Sequence, residues 1–361
     1  MSLSLYRKYR PLVFGDIAGQ AHIKRTLENE IIRNELVHAY LFSGPRAVGK
    51  TTTARVFARA INCVNREEAS SEPCNACEIC TGMLGNHTLD LIEIDAASHT
   101  GVDNVRENII AAARVANMLL RYKVFIIDEV HMLSTSAFNA LLKLLEEPPA
   151  SVVFILATTE IQKVPATIIS RCQRFDFRKI PADEMKERLK GIVKKEGKAL
   201  EEEVYDDVIR YSQGCQRDAE SLLGQLLCLH EKKIDVALAS LVLPHSNRSL
   251  ILELLEQMVA KDTKQALASV DAMIEDGVDF EIVSDDVIEY LRYILRIQAG
   301  AGDTLSETAK TRAQLEELSR EISAEQTIAM IEHFIQAQRD MRSFTLIHLP
   351  FEIAVIQSSL R

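Results

Sequence analysis

The chain has 361 residues, 47% hydrophobic and 26% charged, with a formal net charge of −10. That length accommodates two or three domains with cores of their own, in a composition ordinary for globular protein. The acidity argues against a surface that coats nucleic acid indiscriminately, and leaves room for a local basic track or for phosphates held by main-chain amides.

No apolar run approaches the roughly 18 residues of a membrane span, so no membrane partner is expected. The N-terminal stretch "MSLSLYRKYRP" is basic and has no apolar stretch of the secretory-leader kind. The expected location is cytoplasmic, where thiols stay reduced.

Taken in chain order, the first β-rich apolar run is "AYLFS" at 39–43. It is followed by "GPRAVGKT", Gly44 to Thr51, which fits G-x-x-x-x-G-K-[ST] between a strand and a helical pattern. Its segment Gly44, Pro45, Arg46, Ala47, Val48 and Gly49 would wrap phosphates with backbone amides at a helix N-terminus, with Thr52 alongside. Lys50 would reach the β- and γ-phosphates of a nucleoside triphosphate, and the Thr51 hydroxyl would ligate Mg²⁺.

Next come Cys63, Cys74, Cys77 and Cys80, four thiols in the spacing C-x₁₀-C-x₂-C-x₂-C around the polar loop "NREEASSEP". A Zn²⁺ ion held by four thiolates would order such a loop and would be structural, since it leaves no open coordination position. An iron–sulfur cluster and a redox pair are the rival readings, although the further C-x₃-C-P of ferredoxin sites is missing. Cys172, Cys215 and Cys228 are isolated and are expected to be small core residues.

Four more strands are expected at "LDLIEID" (89–95), "KVFIID" (123–128), "VVFILAT" (152–158) and "RFDF" (174–177). Asp128 would end its strand where open α/β sheets bind ligands and would hold Mg²⁺ through water, and Glu129 would orient or deprotonate the attacking water. His131 is expected to hydrogen-bond within the strand-end loop. Phe138, Leu141, Leu142 and Leu145 mark the buried face of a helix stopped by Pro148-Pro149. Apolar strands alternating with helices imply a parallel sheet covered on both faces.

From about Pro181 the strands are expected to disappear. Segments 182–196, 201–212 and 217–230 read as helices, and the pattern then stays helical to the end, with Leu250, Leu254, Leu255 and Met258 apolar and Pro350 as an interruption. The expected organisation is an α/β nucleotide-binding domain at 1–180 on a five-stranded parallel sheet with the cysteine module at 63–80, a small helical domain at 181–243, and an all-α domain at 244–361.

"YRKYRPLVFGDIAGQ", "HAYLFSGPRAVGKTT", the cysteine module, "LIEIDAAS", "IIDEVHMLSTSAFNALLKLLEEPP", "LATTEIQKVPATIISRC" and "GCQRDAESLL" together resemble the ATPase (tau/gamma) subunit of the bacterial DNA polymerase III clamp loader, of the AAA+ class. The resemblance covers about residues 4–225 and is loose beyond. It implies ATP as substrate with Mg²⁺, a structural Zn²⁺ module, a helical lid and a helical collar. Its implied partners are copies of this chain, delta- and delta-prime-type loader subunits, the sliding clamp, primer-template DNA and the polymerase holoenzyme. Tyr6, Arg10, Pro11, Ile17 and Ala18 correspond to adenine-side contacts. Thr159, in preference to Thr158, corresponds to the sensor-1 residue, Arg217 to the sensor-2 arginine, and Arg171 of "SRC" to the finger that completes a neighbouring subunit's site. In "SHTGVDNVR", His99 and Gly101 stand where basic residues facing DNA are expected, and Arg106 remains.

Two other readings compete. "DEVH" also matches a helicase box, but a helicase needs a second α/β motor domain and residues 181–361 look helical throughout. A ring stator that only scaffolds assembly would have no need of Lys50, Thr51, Asp128 and Glu129.

Overall fold

A computed structural model describes residues 4–85, 88–98, 106–229, 231–243, 248–301, 309–341, 343–346 and 348–360. The chain divides into two units, Met1–Val242 and Leu243–Arg361. His99, Gly101 and the side chain of Arg106 lie outside the described residues.

The first unit opens with a short helix α1 (Leu5–Lys8), a 3₁₀ turn at Phe14–Asp16 and helix α2 (Ala21–Arg33). Strand β1 (Ala39–Ser43) feeds the phosphate loop and helix α3 (Lys50–Asn62), and the cysteine loop ends in helix α4 (Glu78–Leu84). Strands β2 (Leu91–Asp95), β3 (Lys123–Asp128), β4 (Val152–Thr158) and β5 (Gln173–Asp176) follow, with helix α5 (Thr135–Glu146) before β4 and the short α6 (Ala166–Ile169) before β5. The sheet is five-stranded and parallel, in the order β2-β3-β4-β1-β5. Tyr40, Phe42, Val124, Ile126, Val153 and Ile155 pack on one face with α2 and α3, and Leu41, Phe125, Ile127, Phe154 and Leu156 on the other with α5. Burial on both faces explains why these strands are almost continuously apolar.

On α5 the buried set is Ala137, Phe138, Leu141, Leu144 and Leu145, whereas Leu142 is only half-buried. The helix thus turns a slightly different stripe to the sheet than the chosen spacing selected. It stops at Glu146, two residues before Pro148, as steric exclusion by proline demands.

Helices α7 (Ala182–Lys195), α8 (Glu202–Tyr211) and α9 (Gln216–Leu227) follow in the first unit, and a one-turn helix at Val236–Ala239 comes near its end. Strands do not vanish here, contrary to expectation. Strand β6 (Ala199–Leu200) pairs in parallel with β7 (Lys233–Ile234), clipping the segment after α7 to the segment after α9. Two-residue strands are too short to show any periodicity. Cys228 is exposed, not a core residue, because α9 ends just before it.

The second unit contains α10 (Arg248–Val259), α11 (Thr263–Glu275), α12 (Phe280–Gln298), α13 (Ala309–Glu321), α14 (Ala324–Met341) and α15 (His348–Leu360). Leu254, Leu255 and Met258 are buried, and Phe351 packs on Phe280 and Phe334 with ring centroids 5.1 and 5.2 Å apart. Pro350 does not interrupt a helix. It sits in the first turn of α15, where a backbone N–H has no intrahelical acceptor to lose.

One buried ionic element fastens the edge of the sheet. Asp90, 1% exposed, accepts main-chain N–H bonds from Met118, Leu119 and Leu120, and its carboxylate lies 3.7 Å from the buried Lys123 ammonium. Burial pushes the Asp90 carboxyl up, but the three N–H donors and Lys123 outweigh it and leave it below the usual carboxylate value. Asp90→Ala should destabilise the unit by about 3–5 kcal/mol near neutral pH, through uncompensated donors and a buried ammonium. A depressed carboxyl contributes above its unfolded value of about 3.9 and loses its contribution as pH falls through the lower folded value. Urea unfolding of both proteins should therefore show a gap that is full at pH 7 and narrows below about pH 4.

Candidate functional site

The parallel strands end together, and the loops after β1, β3 and β4 meet at that edge. Gly44 immediately follows β1, with φ +145°, and donates its N–H to the Thr158 carbonyl at 3.2 Å. A Cβ there would lie 2.4 Å from the Phe177 carbonyl oxygen, so only glycine fits. Gly49, φ +101°, turns the chain into α3.

The Lys50 ammonium donates to the carbonyls of Gly44 and Pro45 at 2.8 and 2.7 Å. Burial pushes its pKa down, against the pull of Glu129 and Asp128. The Thr51 hydroxyl donates to Asp128 Oδ2 at 2.7 Å. Glu129, in the left-handed region at φ +47°, accepts from the Thr159 hydroxyl at 2.8 Å and from its N–H at 3.2 Å. The His131 side chain is 6% exposed, with Nδ1 3.0 Å from the Thr158 hydroxyl and Nε2 3.3 Å from Glu160. It serves the strand-end loop, and the carboxylate it shares that loop with, Glu129, is 3.4 Å away.

A cleft at this edge brings together Tyr6, Arg10, Pro11, Ile17 and Ala18 with Arg46, Ala47, Val48, Gly49, Lys50, Thr51 and Thr52, and with Asp128, Glu129 and Arg217. Gly44 and Pro45 are absent from its lining and act through their carbonyls on Lys50. Thr159 also stands outside it and reaches the cleft only through Glu129. The Arg217 guanidinium lies 4.6 Å from the Tyr6 ring centroid, a cation–π contact. Hydrogen bonds, first from Ser4 and then from Arg217 and Arg7, lower the Tyr6 phenol to about 8.

Arg171 lies away from the cleft, at the end of α6. One arm of its guanidinium donates to the Thr167 carbonyl at 2.8 Å and the other to Glu146 at 2.6 Å. Within its own chain it therefore closes its helix terminus and makes an ion pair.

Sequence reasoning missed four residues of the lining, Ile180, Arg188, Gln216 and Glu220. Arg188 bonds Glu220 at 2.7 Å, the Asp16 carbonyl at 3.0 Å and the Tyr9 carbonyl at 2.7 Å, and Gln216 also donates to Glu220. Arg188 looks like any charged residue on a helix surface, and only the folding of α7 against the N-terminal segment gives it this role. Gln216, one residue before Arg217, and Glu220, three residues after it, lie within one helical turn of that arginine and carried a weak positional signal.

The four module cysteines are free thiols whose Sγ atoms all lie within 4.8 Å of one another. A tetrahedral metal with Zn–S distances of about 2.3 Å needs S···S separations of roughly 3.8 Å, so the cluster closes on such an ion with small shifts. The N–H of Cys74 points to the Cys63 sulfur at 3.3 Å, that of Cys77 to Cys74 at 3.3 Å, and that of Cys80 to Cys77 at 3.4 Å. N–H donors from Ala76 and Cys77 pull the Cys74 thiol down to about 6, while burial pushes those of Cys63 and Cys80 up. The donor set fits a thiophilic ion.

Fold and phosphate loop together define a AAA+ ATPase-type domain. A solved structure of the Thermotoga maritima RuvB Holliday junction branch migration motor matches with a TM-score of 0.50 and 17% identity, over 75% of this chain and 86% of that one. Residues 19–181 match the family model described as DNA polymerase III, delta subunit, and residues 235–359 the model for DNA polymerase III subunits gamma and tau domain III. The chain is 40% identical over 355 residues to DNA polymerase III subunit tau of Bacillus subtilis, covering 98% of this chain and 62% of that protein. With DNA polymerase III subunit tau of Escherichia coli it shares 36% over 318 residues, 88% of this chain and 49% of that one. The chain belongs to the gamma/tau subunit family of DNA polymerase III. It spans about half to three-fifths of the length of these curated relatives.

Two glycines test how tightly the loop is built. Gly44→Ala should lower stability by about 1–3 kcal/mol, through the Phe177 clash and a backbone angle alanine resists. Gly82→Ala in α4, where nothing lies within 4 Å of the added carbon, should instead stabilise by up to ~1 kcal/mol. Thermal melts of both variants against wild type distinguish them.

Proposed function

We propose that the chain is an ATP-hydrolysing motor subunit of a DNA polymerase III clamp loader, opening and placing a sliding clamp on primed DNA. The observation that carries this is the meeting, at one sheet edge, of Lys50 on the phosphate-loop carbonyls, the Thr51–Asp128 pair and the Glu129–Thr159 pair, in a chain of the gamma/tau family. Residues 1–180 would be the nucleotide domain, 181–243 the lid and 244–361 the collar that joins subunits.

In this reading Lys50 exchanges the Gly44 and Pro45 carbonyls for phosphate oxygens, and loop amides at the start of α3 receive the rest of the negative charge. Thr51 and Asp128 hold Mg²⁺, which neutralises phosphate charge. Pro11, Ile17 and Ala18 wall the base, with Tyr6 and Arg10 beside it. Glu129 orients the attacking water, and Thr159 holds that carboxylate in position until the γ-phosphate is bound. Arg217 leaves Tyr6 for the nucleotide, coupling the lid to its presence. Arg171 leaves Glu146 for the neighbouring subunit's site. An exposed ion pair is worth only about 0–1 kcal/mol, so that exchange costs little. ATP can shift the ring only by its differential affinity for the open and closed states. The partners are copies of this chain, delta- and delta-prime-type subunits, clamp and primer-template DNA.

Steady-state ATP hydrolysis should be low for the chain alone and rise when loader subunits, clamp and primed DNA are all present. Arg171→Ala should lower the stimulated rate by about 10³-fold or more, and Glu129→Gln should abolish it. Hydrolysis indifferent to clamp and primer, with Arg171→Ala harmless, would overturn the loader reading.

Cys63, Cys74, Cys77 and Cys80 are proposed to hold one structural Zn²⁺. Elemental analysis of purified protein should find zinc at one equivalent per chain, and Cys80→Ser should lose it together with thermal stability. Iron with visible absorbance, or no metal and a reversible disulfide, would replace this assignment.

A further inference from the structure

The loop "NREEASSEP" between Cys63 and Cys74 is not a bare connector. Its last acid, Glu72, is half-buried and reaches out of the module to the segment that precedes the base side of the cleft. One carboxylate oxygen accepts the Phe14 N–H at 2.7 Å and the other the Gly15 N–H at 2.8 Å. These are the first N–H groups of the 3₁₀ turn Phe14–Asp16, donors that have no partner inside the turn. An anion there is favoured by both hydrogen bonding and the turn's dipole.

Two further bonds secure the same segment. The Leu12 carbonyl accepts from Asn75 of the module at 3.1 Å and from Arg59 of α3 at 3.0 Å. Arg59 is 5% exposed, so this is an interior tie. Glu72 is itself held, its N–H bonded to the Ser70 hydroxyl at 3.1 Å, and the Ser70 carbonyl is bonded by Arg66 at 2.6 Å. The turn transmits the constraint directly, because the Ile17 N–H bonds the Phe14 carbonyl at 3.1 Å. Ile17 and Ala18 line the cleft, as does Pro11 at the other end of the braced stretch. On the opposite side the same stretch is tied to the lid by Arg188 at Asp16 and Glu184 at Gly19. The base-side wall is thus clamped from two directions, and the cysteine module is one of them.

We propose that Glu72 is a positioning residue for the nucleotide, through which the folded cysteine module sets the placement of Pro11, Ile17 and Ala18 and hence the affinity for the base, independently of the phosphate loop. This rests on the cleft being a nucleoside triphosphate site. Without Glu72 the two N–H donors are left to water, the turn populates other arrangements, and the fraction of chains with a formed base wall falls. Apparent affinity falls with that fraction.

The experiment is calorimetric titration of the full chain with two probes, ATP with Mg²⁺ and inorganic tripolyphosphate with Mg²⁺. Glu72→Ala should weaken ATP binding roughly tenfold and tripolyphosphate by less than about twofold, with metal content unchanged. Glu72→Gln should fall between, since its carboxamide keeps one acceptor oxygen. Glu68→Ala, an exposed acid of the same loop, should match wild type. Wild type stripped of metal by a chelator should show the same base-selective loss, and Glu72→Ala should add little to it. Unchanged ATP affinity in Glu72→Ala, or equal loss of both probes, would overturn the proposal and leave Glu72 an ordinary structural acid. A wild type that binds neither probe would overturn the nucleotide reading itself, and this proposal with it.

Discussion

The arrangement of the cleft depends on one topological constraint, the insertion of β1 between β4 and β5 in an all-parallel sheet. Parallel strands end on the same edge, so the loops leaving β1, β3 and β4 converge there whatever their separation in sequence. The register is tight enough to pair Ser43 with Thr158 and to bond the Gly44 N–H to the Thr158 carbonyl. It also brings the Phe177 backbone so close that no side chain is tolerated at Gly44. Phosphate loop, Asp128 and Thr159 are neighbours because the sheet makes them so.

The polar groups at this edge are paired, but with partners that a ligand could replace. Lys50 rests on two carbonyls, Thr51 on Asp128, Glu129 on Thr159 and Arg217 on the Tyr6 ring, and away from the cleft Arg171 rests on Glu146. A buried ammonium without acceptors would be costly, and the two carbonyls spare Lys50 that cost. In the proposed reading each is exchanged for a contact to ATP, Mg²⁺ or a neighbouring subunit. The site is then a set of side chains already near their working positions, which limits the ordering each must undergo on binding.

In the proposed reading, the base side of the cleft is built differently from the phosphate side. The phosphate loop follows directly from β1 and inherits the rigidity of the sheet. The stretch from Tyr9 to Gly19 has no strand to hold it and is fixed from outside, by Arg188 and Glu184 on α7, by Arg59 on α3, and by Glu72 and Asn75 of the cysteine module. With the proposed metal bound, the cysteine module would be able to stiffen such a segment because its own folding would not depend on burying a large apolar face.

The amino-acid sequence alone revealed the five strands to within two residues, the phosphate loop, Asp128, Glu129 and the four cysteines, because each is a local pattern: an apolar run, a glycine spacing, a thiol spacing. It also showed the relation to the gamma/tau family through motifs spread over most of the first unit. Only the tertiary structure decided the rest. Strands β6 and β7 are too short to have a period, and the buried stripe of α5 shifts to Leu144 because packing, not spacing, selects the face. Arg188, Glu220 and Glu72 carry no local signature. Their roles come from being folded against backbone groups far away in the chain, where a single charged side chain meets donors or acceptors that no element of their own can satisfy.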